Sequence, residues 1–275
     1  MKVAVLCVFL IAGTKAFPKV QDDFQSSKLR VKPKVDVLPN GFVNPRINGG
    51  QEAAPHSHPY QAYIMIYLST GSGYICGGSL ISPRHVLTAG HCLVDGTEAT
   101  IYLGAHNVNE QESSRIIVKS HTLIPHKDYN ADRISDDIGV IVLDEDVQLN
   151  DYISVISLPS KGAGSYEGDN VVFSGWGLLR GGDADIPATL QEASTTVISN
   201  QQCKQVYDIV IDSQICTQGT AASCDGDSGS PLVYGDTQIG VVSYSTDDCS
   251  LQYPSAFTRI SSYLDWLEEN TGLKL

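Results

Sequence analysis

Cys224-Asp225-Gly226-Asp227-Ser228-Gly229-Ser230-Pro231 is the stretch on which the reading of this chain turns. It sets one serine among glycines and aspartates, and Gly226 lets the backbone turn its N–H in a direction that a Cβ would hinder. A serine hydroxyl is a poor nucleophile at neutral pH and needs a neighbouring base to take its proton as it attacks. Two other short runs offer partners. Leu87-Thr88-Ala89-Gly90-His91-Cys92 contains an imidazole, whose unperturbed pKa lies near working pH. Asp136-Asp137-Ile138-Gly139-Val140-Ile141-Val142-Leu143 sets two carboxylates directly before an apolar strand.

Outward from these motifs the chain reads as all-β. Short β-branched and aromatic runs recur at 60–68, 78–81, 99–103, 116–120, 139–143, 170–174, 190–197, 230–234, 237–243 and 255–258, separated by Gly and Asp/Asn/Ser clusters. That pattern suits a sandwich or barrel rather than alternating βα units. Only the end is clearly helical. Ile260, Tyr263, Leu264 and Leu267 recur at helical spacing, and Gly272 follows as a C-cap.

The first 46 residues differ from the rest. They hold eight of the 18 Lys+Arg and three of the 31 Asp+Glu, so they carry +5 and residues 47–275 carry −18. A break this sharp marks a processing boundary. Met1-Lys2, the apolar run Val3–Gly13 and Ala16 read as a secretory signal cut after Ala16. The apolar run is too short for a membrane anchor, which needs about 20 residues. Residues 17–46 are basic, polar and punctuated by Pro18, Pro33, Pro39 and Pro45, and read as a propeptide. The acidic remainder argues against nucleic-acid or anionic-membrane partners, because phosphates reward Lys and Arg. Cys7 leaves with the signal. Cys76, Cys92, Cys203, Cys216, Cys224 and Cys249 remain, an even set that implies disulfides in an oxidising compartment. Six cysteines allow 15 pairings, so spacing alone leaves the connectivity open. A zinc site is disfavoured by the lack of any CxxC pair.

In the order His, Asp, Ser, these motifs resemble the chymotrypsin-like (trypsin-family) serine proteases. Gly77-Gly78-Ser79-Leu80, Ser174-Gly175-Trp176-Gly177 and the Tyr263–Leu267 helix also fit, and the resemblance covers about residues 47–275. It implies two antiparallel six-stranded β-barrels with a C-terminal helix. His91 and Asp137 would come from the first lobe and Ser228 from the second, with the site in the cleft. Ser228 is then the nucleophile and His91 the general base, and Asp137 holds the His91 tautomer. The N–H groups of Gly226 and Ser228 form the oxyanion hole. Asp136 and the other histidines (His56, His58, His85, His106, His121, His126) are read as solvated or structural, as is Ser230. The resemblance also pairs Cys76–Cys92, Cys203–Cys216 and Cys224–Cys249.

It further implies activation by a trypsin-like protease cutting after Arg46, in Asn44-Pro45-Arg46-Ile47-Asn48-Gly49-Gly50. The new Ile47 ammonium would pair with Asp227 as a buried switch. Tyr74 stands where many relatives carry a His that holds this Asp in the zymogen, which puts that latch in doubt. The pocket floor falls on Ala222, the walls on Ser245 and Ser255, and the rim on Asp225. Ser243, Tyr244 and Ser245 would pair with substrate as an added strand. An uncharged floor implies cleavage after apolar or aromatic residues. Elastase- or collagenase-like specificity and a cascade protease are the enzyme alternatives, and an inactive homologue is the non-enzyme one. No cofactor or metal is expected. Ala105 stands where calcium-binding relatives carry a Glu, and Glu110 and Glu112 are weak substitutes. The expected partners are protein or peptide substrates and the activator. The protein is expected to be a secreted, digestive monomer of the gut lumen, without nucleic acid or membrane.

Overall fold

The computed structural model describes residues 24–26, 49–183 and 185–275. The expected signal sequence, Arg46 and Ile47 lie outside them. Two short strands come first, β1 (Phe24–Ser26) and β2 (Gln51–Glu52).

The first lobe is built from β3 (Gln61–Leu68), β4 (Gly73–Ser82), β5 (His85–Thr88), β6 (Gly96–Leu103), β7 (Ile116–Ser120), β8 (Thr122–Pro125) and β9 (Gly139–Val142). They pair in the order β7-β6-β3-β4-β5-β9-β8. Only His121 separates β7 from β8, so one bent segment pairs with β6 at one end and β9 at the other. Counted as a single strand, it closes a six-stranded barrel through a covalent bend rather than a ladder. β3 shows why clean alternation is missing from the sequence. Ala62, Ile64 and Ile66 face the barrel core, whereas Tyr63 and Met65 pack with Trp176 and Leu190 against the other lobe. A strand buried on both faces reads as a continuous apolar run.

The second lobe contains β10 (Asn170–Gly175), β11 (Gln191–Ile198), β12 (Gln214–Gln218), β13 (Pro231–Tyr234), β14 (Thr237–Tyr244) and β15 (Ser255–Arg259). The path β10-β13-β14-β15-β12-β11 returns to β10 through the β10–β11 ladder, a closed six-stranded barrel with β2 added outside β11. Phe173, Ile215, Leu232 and Phe257 fill it.

Two short helices complete the described residues. α1 (Asn200–Cys203) starts on a capping box, in which Ser199 and Gln202 exchange side-chain and backbone hydrogen bonds. The C-terminal helix starts later than its apolar spacing suggests. Ile260–Ser262 forms a 3₁₀ turn, α2 spans Leu264–Thr271, and Gly272 ends it with φ 70°. Ile260, Tyr263, Leu264 and Leu267 join the core of the first lobe, so the chain end crosses back from the second. Disulfides join Cys76–Cys92, Cys203–Cys216 and Cys224–Cys249, the pairing implied by resemblance. By loop-closure entropy each stabilises by about 3 kcal/mol.

Candidate active site

The β5–β9 ladder sets Thr88 opposite Gly139, which brings the turn after β5 beside the residues before β9. His91 and Asp137 therefore meet. Asp137 Oδ2 lies 2.8 Å from His91 Nδ1, and Asp137 Oδ1 accepts from the His91 backbone N–H at 2.8 Å. Two groups of the second lobe hold the same aspartate. Ser243 Oγ donates to Oδ2 at 2.5 Å, and Thr258 Oγ1 donates to the Asp137 carbonyl at 2.6 Å. Asp137 is 1% exposed. Burial alone would raise its pKa, but the charge of His91 and the hydrogen bonds from His91 and Ser243 outweigh it and hold the carboxyl below its usual range. Asp136, read as solvated, instead accepts from Tyr263 Oη at 3.1 Å and has φ 55°. That strained residue turns the backbone so that Asp137, not Asp136, points inward.

Ser228 sits in the loop before β13 and is 7% exposed. Its carbonyl accepts from Gly77 N at 2.8 Å, and Thr88 Oγ1 donates to Gly77 O at 2.8 Å, which ties the loop to the first lobe. His91 Nε2 is buried with no hydrogen-bond partner among the described residues. Gly226 has φ 96°, a conformation that L side chains rarely adopt. Ser230 is buried and accepts weakly from Gln61 Nε2 at 3.4 Å, part of the packing between lobes.

Asp227 points away from Ser228 into the protein and is 0% exposed. Gly177 N donates to Oδ1 at 2.8 Å and Cys224 N to Oδ2 at 3.0 Å. Burial nevertheless pushes its pKa up to about 7. A Cβ at Gly175 or Gly177 would overlap the Asp227 carboxyl, so both glycines make room for it. Tyr74 does not take part. Its hydroxyl donates to Cys92 O at 3.0 Å.

A cavity opens beside Ser228, lined among others by Ser223, Asp225, Ser243, Ser245 and Asp247. Ala222 and Ser255 are buried around Ser223 rather than in this open lining. Ser245 Oγ donates to Ser223 O at 2.8 Å, and Ser255 Oγ accepts from Ser223 N at 3.0 Å. Both wall hydroxyls are thus consumed. Ser223 Oγ is buried with no partner among the described residues. Sequence reading passed over it, because the neighbouring Ala222 carries the floor position and nothing in the sequence tells which hydroxyl goes unpaired. Tyr244 turns its ring into the core against Tyr207, so only its backbone faces the cleft side.

Metal ligation has little to build on. Cys76, His91 and Cys92 are the one such cluster among the described residues, and the two sulfurs form a disulfide. Glu112 closes its own loop, accepting from His106 N at 2.7 Å and Asn107 N at 3.0 Å.

The trypsin family model matches residues 47–267, which span both lobes and every residue of this site. The chain belongs to the trypsin family of serine proteases. It is 40% identical to a chymotrypsin of Phaedon cochleariae over 98% of both chains. It is also 40% identical to brachyurin of Leptuca pugilator, across 82% of this chain and 99% of that one. The solved structure of HL collagenase superposes with a TM-score of 0.76 at 36% identity, over 82% of this chain and 99% of that one. As a trypsin-family serine protease the chain acts on protein or peptide substrates. No helix among the described residues is long and apolar enough to cross a membrane.

Proposed function

We propose that the protein is a secreted endopeptidase zymogen, cleaved after Arg46, that hydrolyses peptide bonds after apolar or aromatic residues through an acyl-enzyme on Ser228. The observation that carries this reading is the state of His91. Its Nδ1 is fixed by a buried, low-pKa Asp137, and its Nε2 is left without a partner.

In this mechanism His91 Nε2 takes the Ser228 Oγ proton as Oγ attacks the scissile carbonyl. Asp137 stabilises the imidazolium, and the N–H groups of Gly226 and Ser228 receive the oxyanion. The imidazolium then gives its proton to the departing amine. Water enters by the reverse sequence, with His91 again as base, and frees the acid product and Ser228. Ser243 and Thr258 position Asp137 across the two lobes.

Activation rests on Asp227. A carboxyl that burial pushes up to about 7 has a strong call for a cation. The Ile47 ammonium released by cutting after Arg46 supplies one, and pairing would fix the 224–228 loop. The activator is a trypsin-like protease. Specificity follows from the uncharged Ala222, with Ser245 and Ser255 narrowing the walls. Ser223 Oγ adds one unpaired hydroxyl, which favours a side chain ending in a hydrogen-bonding group such as tyrosine. The carboxylates of Asp225 and Asp247 at the cavity favour basic residues nearby in the substrate. A digestive role in a gut lumen, as a monomer, completes the reading, supported by the basic segment 17–46 ahead of the protease domain. Collagenase-like specificity is the second reading, favoured by the likeness to HL collagenase. Cleavage after Arg46 followed by profiling on a peptide library tests the account. Dominant cleavage after Lys or Arg would contradict the pocket assignment.

A further inference from the structure

β4 has two edges. β3 pairs with it from Gly73 to Ser79, whereas β5 joins the other edge only from Ser79. At Gly73–Ile75 that second edge is paired, among the described residues, with β1, which runs parallel to it with Phe24 opposite Gly73, Gln25 opposite Tyr74 and Ser26 opposite Ile75.

This edge adjoins the site. Tyr74 Oη bonds Cys92 O, Cys76 is disulfide-linked to Cys92 beside His91, and Gly77 N bonds Ser228 O. Ile75 reaches the Gly226 side of the loop, where its Cδ1 would lie 3.4 Å from a Cβ placed on Gly226. The pocket beside Ser228 is lined by Ser243, Tyr244 and Ser245 and by none of Gly73–Ile75. A peptide with its carbonyl at Ser228 and its acyl side in that pocket has the Gly73–Ile75 edge beside it for its leaving-group side.

We infer that residues 24–26 form an intramolecular strand that occupies the leaving-group side of the cleft in the uncleaved chain. The inference rests on the proposed cleavage after Arg46. A three-residue strand binds weakly, but it is tethered. Residues 27–48 join it covalently to Gly49, and an intramolecular link supplies an effective concentration of about a millimolar. Backbone pairing does not depend on which side chains the segment carries. Charge adds to the attraction. Residues 17–46 hold six Lys+Arg against three Asp, and the remainder carries −18, with Asp95 acting electrostatically on Tyr74. Cleavage removes the tether. All six cysteines of 47–275 pair among themselves and residues 17–46 contain none, so nothing covalent retains the strand. The segment acts as a reversible cover in the zymogen and leaves once cut.

The test adds a synthetic peptide of residues 17–46, at about 1 mM, to the activated enzyme. Two substrates are compared. One is a methyl ester, whose leaving group ends at the scissile bond, and the other is a quenched peptide continuing four residues beyond it. Ester hydrolysis before the peptide is added reports on the protease reading separately. The expected result is a several-fold fall in kcat/KM for the long substrate with the ester unaffected. A peptide carrying Phe24→Pro, Gln25→Pro and Ser26→Pro, which has lost the three backbone donors, loses the effect. Slowing of the ester, no slowing of the long substrate, or inhibition that survives the prolines would each overturn the inference.

Discussion

Gly177 donates its backbone N–H to the buried carboxyl of Asp227 at 2.8 Å, and no side chain fits at position 177 while that carboxyl stays in place. The contact joins the segment after β10 to the loop that carries Ser228. Gly177→Ala should therefore displace Asp227, cost about 1–3 kcal/mol in urea unfolding and lower activity together with stability. Unchanged unfolding in the variant would mean that the carboxyl is not confined as described.

The same carboxyl gives the uncleaved chain an unusual pH response. Burial raises its folded pKa from the ordinary 3.8 to about 7. The unfolded chain therefore ionises first as pH rises. Stability from this group is fully present below about pH 4 and is lost as pH climbs through 7, by roughly 4 kcal/mol in all. Asp227→Asn should flatten that part of the stability profile, read as urea midpoint against pH. Parallel profiles for the two proteins would contradict it.

Asp137 behaves oppositely. Its folded pKa is lowered, so its contribution is present above the unfolded value and is lost as pH falls. Ser243→Ala removes one of the groups that lower it. The acid unfolding midpoint should move to higher pH, and kcat should fall by about tenfold, the loss of one hydrogen bond to a charged group. Asp137→Asn should be far worse, near 10⁴-fold in kcat, as in other Ser-His-Asp enzymes. A Ser243→Ala profile that superposes on the parent would remove Ser243 from the account.

Ser223→Ala tests the pocket. If the orphan hydroxyl meets the tip of the substrate side chain, the variant loses preference for tyrosine over phenylalanine, by about 1–3 kcal/mol or roughly 5- to 150-fold. Equal preference in parent and variant would show that the hydroxyl serves no substrate.

Much of the fold was legible from the sequence because its strands are β-branched and bounded by turns. Ile116–Ser120 has the bounds read from the sequence. β12 was missed because Gln214-Ile-Cys-Thr-Gln offers little apolar signal, although Gln214 is buried and bonds Ile134 O at 2.8 Å. β5 (His-Val-Leu-Thr) and β8 (Thr-Leu-Ile-Pro) each hold two apolar residues between polar or proline ends, too few to register as a strand run. Gly78–Ile81 was read short because the barrel continues β4 back to Gly73 through residues that alternate poorly. At the site, motif order pointed to His91, Asp137 and Ser228, and the structure brings the first two into contact. What local sequence cannot reveal are long-range hydroxyl contacts. Thr258 and Ser243 lie 121 and 106 residues from the Asp137 they hold. The orphan state of Ser223 likewise depends on Ser245 and Ser255 engaging its backbone first.

The central claim is that Ser228, activated by His91, is the nucleophile of the cleaved enzyme. The most direct measurement treats the chain, after cleavage at Arg46, with a serine-directed fluorophosphonate and reads the adduct by peptide mass spectrometry. The account predicts one adduct on Ser228, slowed strongly by His91→Ala and absent in Ser228→Ala. No adduct in the cleaved, folded chain, or an adduct on another serine, would contradict it.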